Sequence, residues 1–322
     1  MLKKLTLLAS FAALAFSATV SAQDYPSKPI KVVVPYPPGG ITDIVGRTVS
    51  ERISKDLGQA VVVENKAGAG GSIGASEAAR AKPDGYTLFI GTSATHGTNP
   101  STYANLSYNA EKDFEPVAFI AWAPLMIIVS NDVPAQTIQD LIAYAKQNPE
   151  ALTYATTGTG GSVHLTTEMF AMENGIKMSH VPYKGSSPAL TDLMGGHVKV
   201  MFDNVPSAAP LAEANKVRAL AVTGATRSEL APNVPTVAET VVPGFDSSSW
   251  IALYAPAGTP KDVVEKLNVS VNKALTDQGL LETFKKAGLT AKGGGPEVLA
   301  QHQKTEIEKW ASVVKAIGYE AK

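Results

Sequence analysis

The chain has no cysteine among its 322 residues, which excludes disulfides, thiol nucleophiles and thiolate metal sites at once. Charge is sparse as well: Asp, Glu, Lys and Arg make up 18% of the residues, against roughly 25% in an average soluble chain. Basic and acidic side chains nearly balance at 28 and 29, so there is no broad field for gripping nucleic acid or an anionic lipid surface. The five histidines, His96, His164, His180, His197 and His302, are scattered and form no H-E-x-x-H, the helical pair that holds a catalytic zinc. No pair of catalytic carboxylates stands out, and there is no low-complexity tract or short-period repeat. From these absences we expect no cofactor, no metal and no catalytic residue.

What is present begins with a leader. Lys3 and Lys4 precede an apolar run over 5–16, and Val20-Ser21-Ala22 supplies the small-residue pattern of a signal-peptidase site. The run is shorter than the ~20 residues a membrane span needs. Cleavage after Ala22 is expected, with export to the periplasm, and no cysteine follows that could carry a lipid. The remaining 322 − 22 = 300 residues suffice for two domains, and without Lys3 and Lys4 their charge is 26 − 29 = −3.

Past the leader, strand-like and helix-like runs alternate. Strands are expected over 30–36, 60–64 and 86–91, with helices over 41–57 and 73–81 between them. A second set follows: helix 137–147, strand 152–157, helix 163–173, strand 178–183, helix 188–194, strand 198–202, helix 207–215 and strand 218–223. These are βαβ units, so the expected fold class is α/β, with two lobes that are each a mostly parallel sheet flanked by helices. The apolar segments 119–129 and 250–255 are expected to cross between lobes as a hinge. Two long amphipathic helices, 261–275 and 296–317, are expected to pack back on one lobe. The resulting division is lobe 1 over 23–125, lobe 2 over 126–248, and a return to lobe 1 over 249–322.

Ligands in open α/β sheets bind beyond the carboxyl ends of the strands, and three stretches are expected there. In "VVVPYPPGGITD", residues 32–43, prolines fix φ and Gly39 and Gly40 leave the backbone bare just before a helix. No Gly-Lys-Ser/Thr follows, so this is not a nucleotide phosphate loop. "TTGTGGSVHL", residues 156–165, has the same strand, glycine turn and helix order, with Ser162 as a donor and a helix cap. "FDNVPS", residues 202–207, puts Asp203 at a strand end, either as a helix cap or as a ligand contact. Two weaker stretches are "NKAGAGGSIGA", which fails G-x-G-x-x-G at Ile73, and "GTSATHGTNP", which offers Ser93, His96 and Asn99 to the same edge. A secreted small-ester hydrolase using Ser162 or Ser93 is the rival reading. It lacks the G-x-S-x-G elbow, and His164 lies only two residues from Ser162 on the helix.

Taken together, "YPSKPIKVVVPYPPGGITD", "VVVENKAGAGGSIGA", "KPDGYTLFIGTSATHGTNP", "TTGTGGSVHL", "HVPYKGSSPALTDLMGGHV", "FDNVPS" and "WIALYAPAGTP" span the mature chain. In combination they resemble the TctC-like solute receptors of tripartite tricarboxylate transporters, the Bug family. The resemblance implies a type II periplasmic binding protein that closes on an organic acid, without catalysis, and delivers it to the membrane subunits of a secondary transporter. A receptor serving signalling is compatible with the same fold. The carry-over puts Tyr36, Pro38, Gly39, Gly40, Ile41, Thr42 and Asp43 in one jaw around a ligand carboxylate. It puts Thr157, Gly158, Gly160, Ser162 and His164 in the other. Ser93 is expected at the cleft, and Asp203, Tyr183, Phe202 and Trp250 around the distal part of the ligand. The expected partners are a carboxylate ligand and the membrane carrier, with no nucleic acid, and the protein is expected to act as a monomer.

Overall fold

The computed structural model describes residues 25–149 and 151–321; the expected leader and its cleavage after Ala22 lie outside them. In chain order the elements begin with β1 (Ile30–Val34), α1 (Ile41–Leu57), β2 (Val61–Asn65), α2 (Ser72–Ala79), β3 (Thr87–Thr92) and α3 (Asn99–Thr102). The long strand β4 (Phe114–Val129) leads to α4 (Ile138–Gln147), β5 (Thr153–Thr156), α5 (Ser162–Asn174), β6 (Ser179–Pro182), α6 (Ser186–Met194), β7 (Val200–Asn204), α7 (Val205–Glu213), β8 (Arg218–Val222) and α8 (Val237–Thr240). The chain ends with β9 (Ser248–Pro256), α9 (Lys261–Ala274), α10 (Gln278–Lys286), β10 (Thr290–Ala291) and α11 (Pro296–Ala316).

β1 reads Ile-Lys-Val-Val-Val and buries all but Lys31, the near-continuous apolar run of a parallel strand covered on both faces. It lies between β2 and β3, parallel to each. Val45, Val49 and Ile53, spaced four apart on α1, are buried against it, each contributing roughly 1.5–3 kcal/mol of burial. Gly46 allows this close seat, because a Cβ there would come within 2.8 Å of Val34. Gly58, left-handed at φ +66°, stops the helix.

β4 joins the two halves. Its residues 114–124 pair with β9, and residues 125–129 pair with β7 and β8. Lobe 1 therefore has the order β2-β1-β3-β9-β4, and lobe 2 has β6-β5-β7-β4-β8. The two orders are the same pattern. In each lobe the fourth strand is antiparallel to both neighbours and comes from the other half of the chain, β9 in lobe 1 and β4 in lobe 2. That equivalence makes β1 the counterpart of β5 and aims the carboxyl ends of both at one cleft.

Three expectations change. The chain crosses back just before 250–255: the Ser247 amide still bonds Thr223 O of lobe 2 at 2.9 Å, while Ser248 already pairs with Pro124. The helix α10, with Asp277 capping the Leu280 amide, was not anticipated between the two long helices. Finally, α11 does not pack on one lobe. Its Leu299 lies in a lobe 1 cluster with Phe119 and Trp250, whereas Trp310, Val313 and Val314 join the lobe 2 core with Leu125 and Phe170. Its 21 residues, at ~1.5 Å each, outrun the face of a single lobe. Buried Glu306 pins the helix midway, accepting from Trp250 Nε1 and Trp310 Nε1 at 3.0 Å each.

Candidate functional site

The turns after β1 and β5 have nearly the same backbone. Gly39 and Gly160 are left-handed at φ +87° and +79°, a region where an L side chain is strained. Gly40 and Gly161 follow as extended helix caps, at φ −78°, ψ 167° and φ −80°, ψ 171°. Neither helix receives a side-chain cap, so the first-turn amides of α1 and α5 point their N–H groups outward at the positive end of each helix. A helix end of this kind favours an anion, and the one at α5 opens on the hollow between the lobes.

Each turn is also braced by the side chain four residues beyond its left-handed glycine. The Gly39 amide donates to Asp43 Oδ2 at 2.9 Å, and the Gly160 amide donates to His164 Nδ1 at 3.1 Å. Asp43 is buried and accepts in addition from Arg47 Nε at 3.0 Å and from Asn65 Nδ2 at 2.8 Å. Burial works against its charge, but the hydrogen bonds from Arg47, Gly39 and Asn65 outweigh it and hold the carboxyl below its usual range. Asn65 Nδ2 donates also to Tyr36 O at 2.9 Å, tying the strand end into the brace. Asp43 is thus engaged by three donors of lobe 1.

In the second turn the proton-free Nδ1 of His164 leaves Nε2 to carry the hydrogen, 4.0 Å from Glu168 Oε1. The His164 ring stacks on His180 at 4.1 Å, and His180 in turn stacks on Tyr154 at 5.0 Å. The Tyr154 hydroxyl donates to Glu168, and His180 Nε2 meets Thr156 Oγ1 at 2.7 Å. Burial, with the neighbouring His164, lowers the His180 pKa to about 4 against a smaller opposing pull from Glu168. Ser162 occupies the first helical position rather than the cap, which is Gly161.

A hollow of about 330 Å³ lies between the lobes at this edge. One wall is the second turn from Thr157 to Ser162. The opposite wall comes from lobe 1: Tyr36, Gly70, Ala94, Thr98, Asn99 and Tyr103. Among the described residues, none lining it is charged or a histidine. The first-turn residues Pro38, Gly39, Gly40, Ile41 and Thr42 are not part of its lining; the first three are exposed, and Ile41 and Thr42 are half-buried.

Other sequence-derived candidates are placed differently. Ser93 is buried at the entry to the π-type turn Ala94–Thr98, which brings Ala94, Thr98 and Asn99 to the hollow instead. His96 stacks on Tyr254 at 4.0 Å deep in lobe 1, where burial lowers its pKa to about 3. The half-buried Tyr183 donates its hydroxyl to Asp192 at 2.7 Å. Asp203 is fully buried near the end of β7; its Oδ1 accepts from Ser186 at 2.7 Å, its Oδ2 has no hydrogen-bond partner among the described residues, and burial raises its pKa. Phe202 and Trp250 are not at the cleft. Phe202 packs in the lobe 2 core 5.5 Å from Phe170, as it must beside Asp203, since successive strand residues face opposite sides. Trp250 is buried against α11. The sequence reading missed Gly70, Tyr103 and Tyr319, all of which line the hollow.

Comparison with known proteins shows the family. The family described as "Tripartite tricarboxylate transporter family receptor" matches residues 45–319. Protein BugT of Bordetella pertussis is 36% identical over 307 residues, covering 95% of this chain and 94% of its own. An R. palustris protein solved with adipate is 39% identical, with a TM-score of 0.76 over 92% of this chain and 99% of that one. The periplasmic binding protein BugD superposes with a TM-score of 0.74 at 37% identity, covering 92% of this chain and all of that one. With its paired uncapped helices at an interlobe cleft, the chain belongs to the receptor family of the tripartite tricarboxylate transporters.

Proposed function

We propose that the protein captures a small organic acid in the periplasm, one carboxylate held between the two glycine turns, and hands it unchanged to the membrane subunits of its transporter. The observation that carries this reading is the duplicated turn: left-handed glycine, extended glycine cap and uncapped helix, once per lobe. Hydrogen bonds to a charged group contribute roughly 1.5–3 kcal/mol each. Three or four of them, less the cost of association, approach the about −8.2 kcal/mol of a micromolar site. No arginine is required.

On this reading Pro38, Gly39, Gly40, Ile41 and Thr42 form one jaw and Thr157, Gly158, Gly160 and Ser162 the other, with Tyr36 between them. Asp43 and His164 act from behind, keeping the turns in shape. The lobes divide as 23–125, 126–248 and 249–322, a division supported by the change of partners along β4 between Pro124 and Leu125, although α11 touches both sides. The protein acts as a monomer and does no chemistry on its cargo. An esterase reading is not supported by the hydrogen bond that occupies Nδ1 of His164, which accepts from the Gly160 amide.

The test is a thermal-shift panel of mono-, di- and tricarboxylates, amino acids and aromatic acids. A ligand at a hundred times its Kd adds about 2.7 kcal/mol, so at least one acid is expected to raise Tm by several degrees. A flat response across the panel overturns the reading.

A further inference from the structure

The end of the chain takes part in the cleft. After α11, Gly318 turns left-handed at φ +63°, its amide bonds Lys315 O at 3.3 Å, and the Tyr319 amide reaches back to Val314 O at 3.1 Å. This crossed pair of bonds is a Schellman stop, which reverses the chain over the last turn of the helix. The reversal carries Tyr319 to the second glycine turn, where its hydroxyl lies over Gly160, close enough that a Cβ on Gly160 would collide with it. Its ring is 6.4 Å from that of His164, and it lines the hollow between the lobes. The seat is fixed from both sides, because Trp310 and Val313 of α11 lie in the lobe 2 core while Leu299 is held in lobe 1.

Across the hollow stand other neutral polar groups. Tyr36 lies with its hydroxyl 3.4 Å from Thr92 Oγ1, Asn99 donates to Gly70 O at 3.1 Å, and Tyr103 covers Gly70. With the amides of the second turn taken by the first carboxylate, a second one in the hollow would lose its water and meet no cation among the described residues, an expensive exchange. A hydroxyl or amide would find both donors and acceptors.

Building on the carboxylate reading above, we propose that Tyr319 is a ligand-contacting residue that determines which acids the cleft accepts, selecting monocarboxylates whose far end is an uncharged hydrogen-bonding group. The test is isothermal titration of the mature chain with matched pairs, 6-hydroxyhexanoate against adipate and 4-hydroxybenzoate against terephthalate. In each pair the hydroxy acid is expected to bind at least tenfold tighter. Tyr319→Ala is expected to weaken the hydroxy acids about tenfold and to erase the preference, and Tyr319→Phe, which keeps the ring and its packing, about threefold. Melting curves of the ligand-free variants separate loss of the fold from loss of the contact. Diacids binding as tightly as the hydroxy acids, or Tyr319→Ala and Tyr319→Phe both binding like the parent, overturns the proposal. If none of the four binds while another acid in the broader panel raises Tm, the proposed class is wrong and the carboxylate reading stands; if no acid acts at all, the carboxylate reading falls first.

Discussion

The turns after β1 and β5 share a backbone and differ in almost everything attached to it. The first is set by Pro35, Pro37 and Pro38 and braced by a buried carboxylate in a web of Arg47, Asn65 and two backbone groups. The second contains no proline between Thr156 and Ser162 and is braced by an imidazole stacked on a second imidazole. An anion site built from amides and helix ends constrains φ and ψ and little else. The supporting side chains are then free to differ, and here one turn is backed by a hydrogen-bonded carboxylate and the other by a stack of imidazoles.

Removing the braces is the strongest way to break that comparison. Asp43→Ala strips an acceptor from Gly39, Arg47 and Asn65 together and is expected to cost about 3 kcal/mol of stability, at 1.5–3 kcal/mol per charged hydrogen bond with partial rescue by water. His164→Asn keeps an acceptor near the position of Nδ1 and is expected to cost about half as much. Urea unfolding measures both; equal losses would mean that the charged web adds nothing to the first jaw.

The jaws were legible in the sequence because their signals are local: a β-branched run, glycines and prolines, then a helical period. The braces at Asp43 and His164 stood inside the same stretches, but their direction did not. Both were read as part of the jaws; in the structure each accepts from the amide of the left-handed glycine four residues before it. The far wall was harder, since Gly70 and Tyr103 reach the hollow only through the folding of lobe 1, and Tyr319 through a helix that starts at residue 296. Phe202 could have been excluded beforehand, because strand alternation forbids it from sharing a face with Asp203. The span of α11 was available as well, in the plain length of its apolar pattern.

A smaller effect sharpens the likeness of the two backbones. Gly39→Ala and Gly160→Ala each force a Cβ into the left-handed region, for an expected loss of about 1–2 kcal/mol apiece. Around Gly39 nothing lies within 4 Å, whereas at Gly160 the new methyl must displace Tyr319. Because the far end of a side chain yields at little expense, the two variants should match in stability within about 0.5 kcal/mol. Only Gly160→Ala should alter the selectivity between hydroxy acid and diacid in calorimetry. A matching change in Gly39→Ala would show that Tyr319 is not the source.

The smallest expected effect is in pH, where Asp43 in the first turn and His180, stacked behind the brace of the second, part company. His180 takes up its proton at about 4 in the folded chain, against 6.5 for an ordinary histidine, so between those values the unfolded chain binds more protons and stability falls as the pH falls. Asp43, held below the usual carboxylate range, keeps its contribution through that window and loses it only at more acid pH. Lowering the pH from 7 to 5 should therefore loosen the second turn and leave the first intact. The effect is modest, because His180 is only half-buried and solvent screens it. His180→Gln should flatten the fall in Tm between pH 7 and 5 without abolishing it, since buried His96 and His302 are shifted in the same direction. Hydrogen exchange at the two turns tells the jaws apart: protection should drop over 157–161 and hold over 37–40, and an equal drop in both would refute the assignment of the pH effect to His180 behind the second turn.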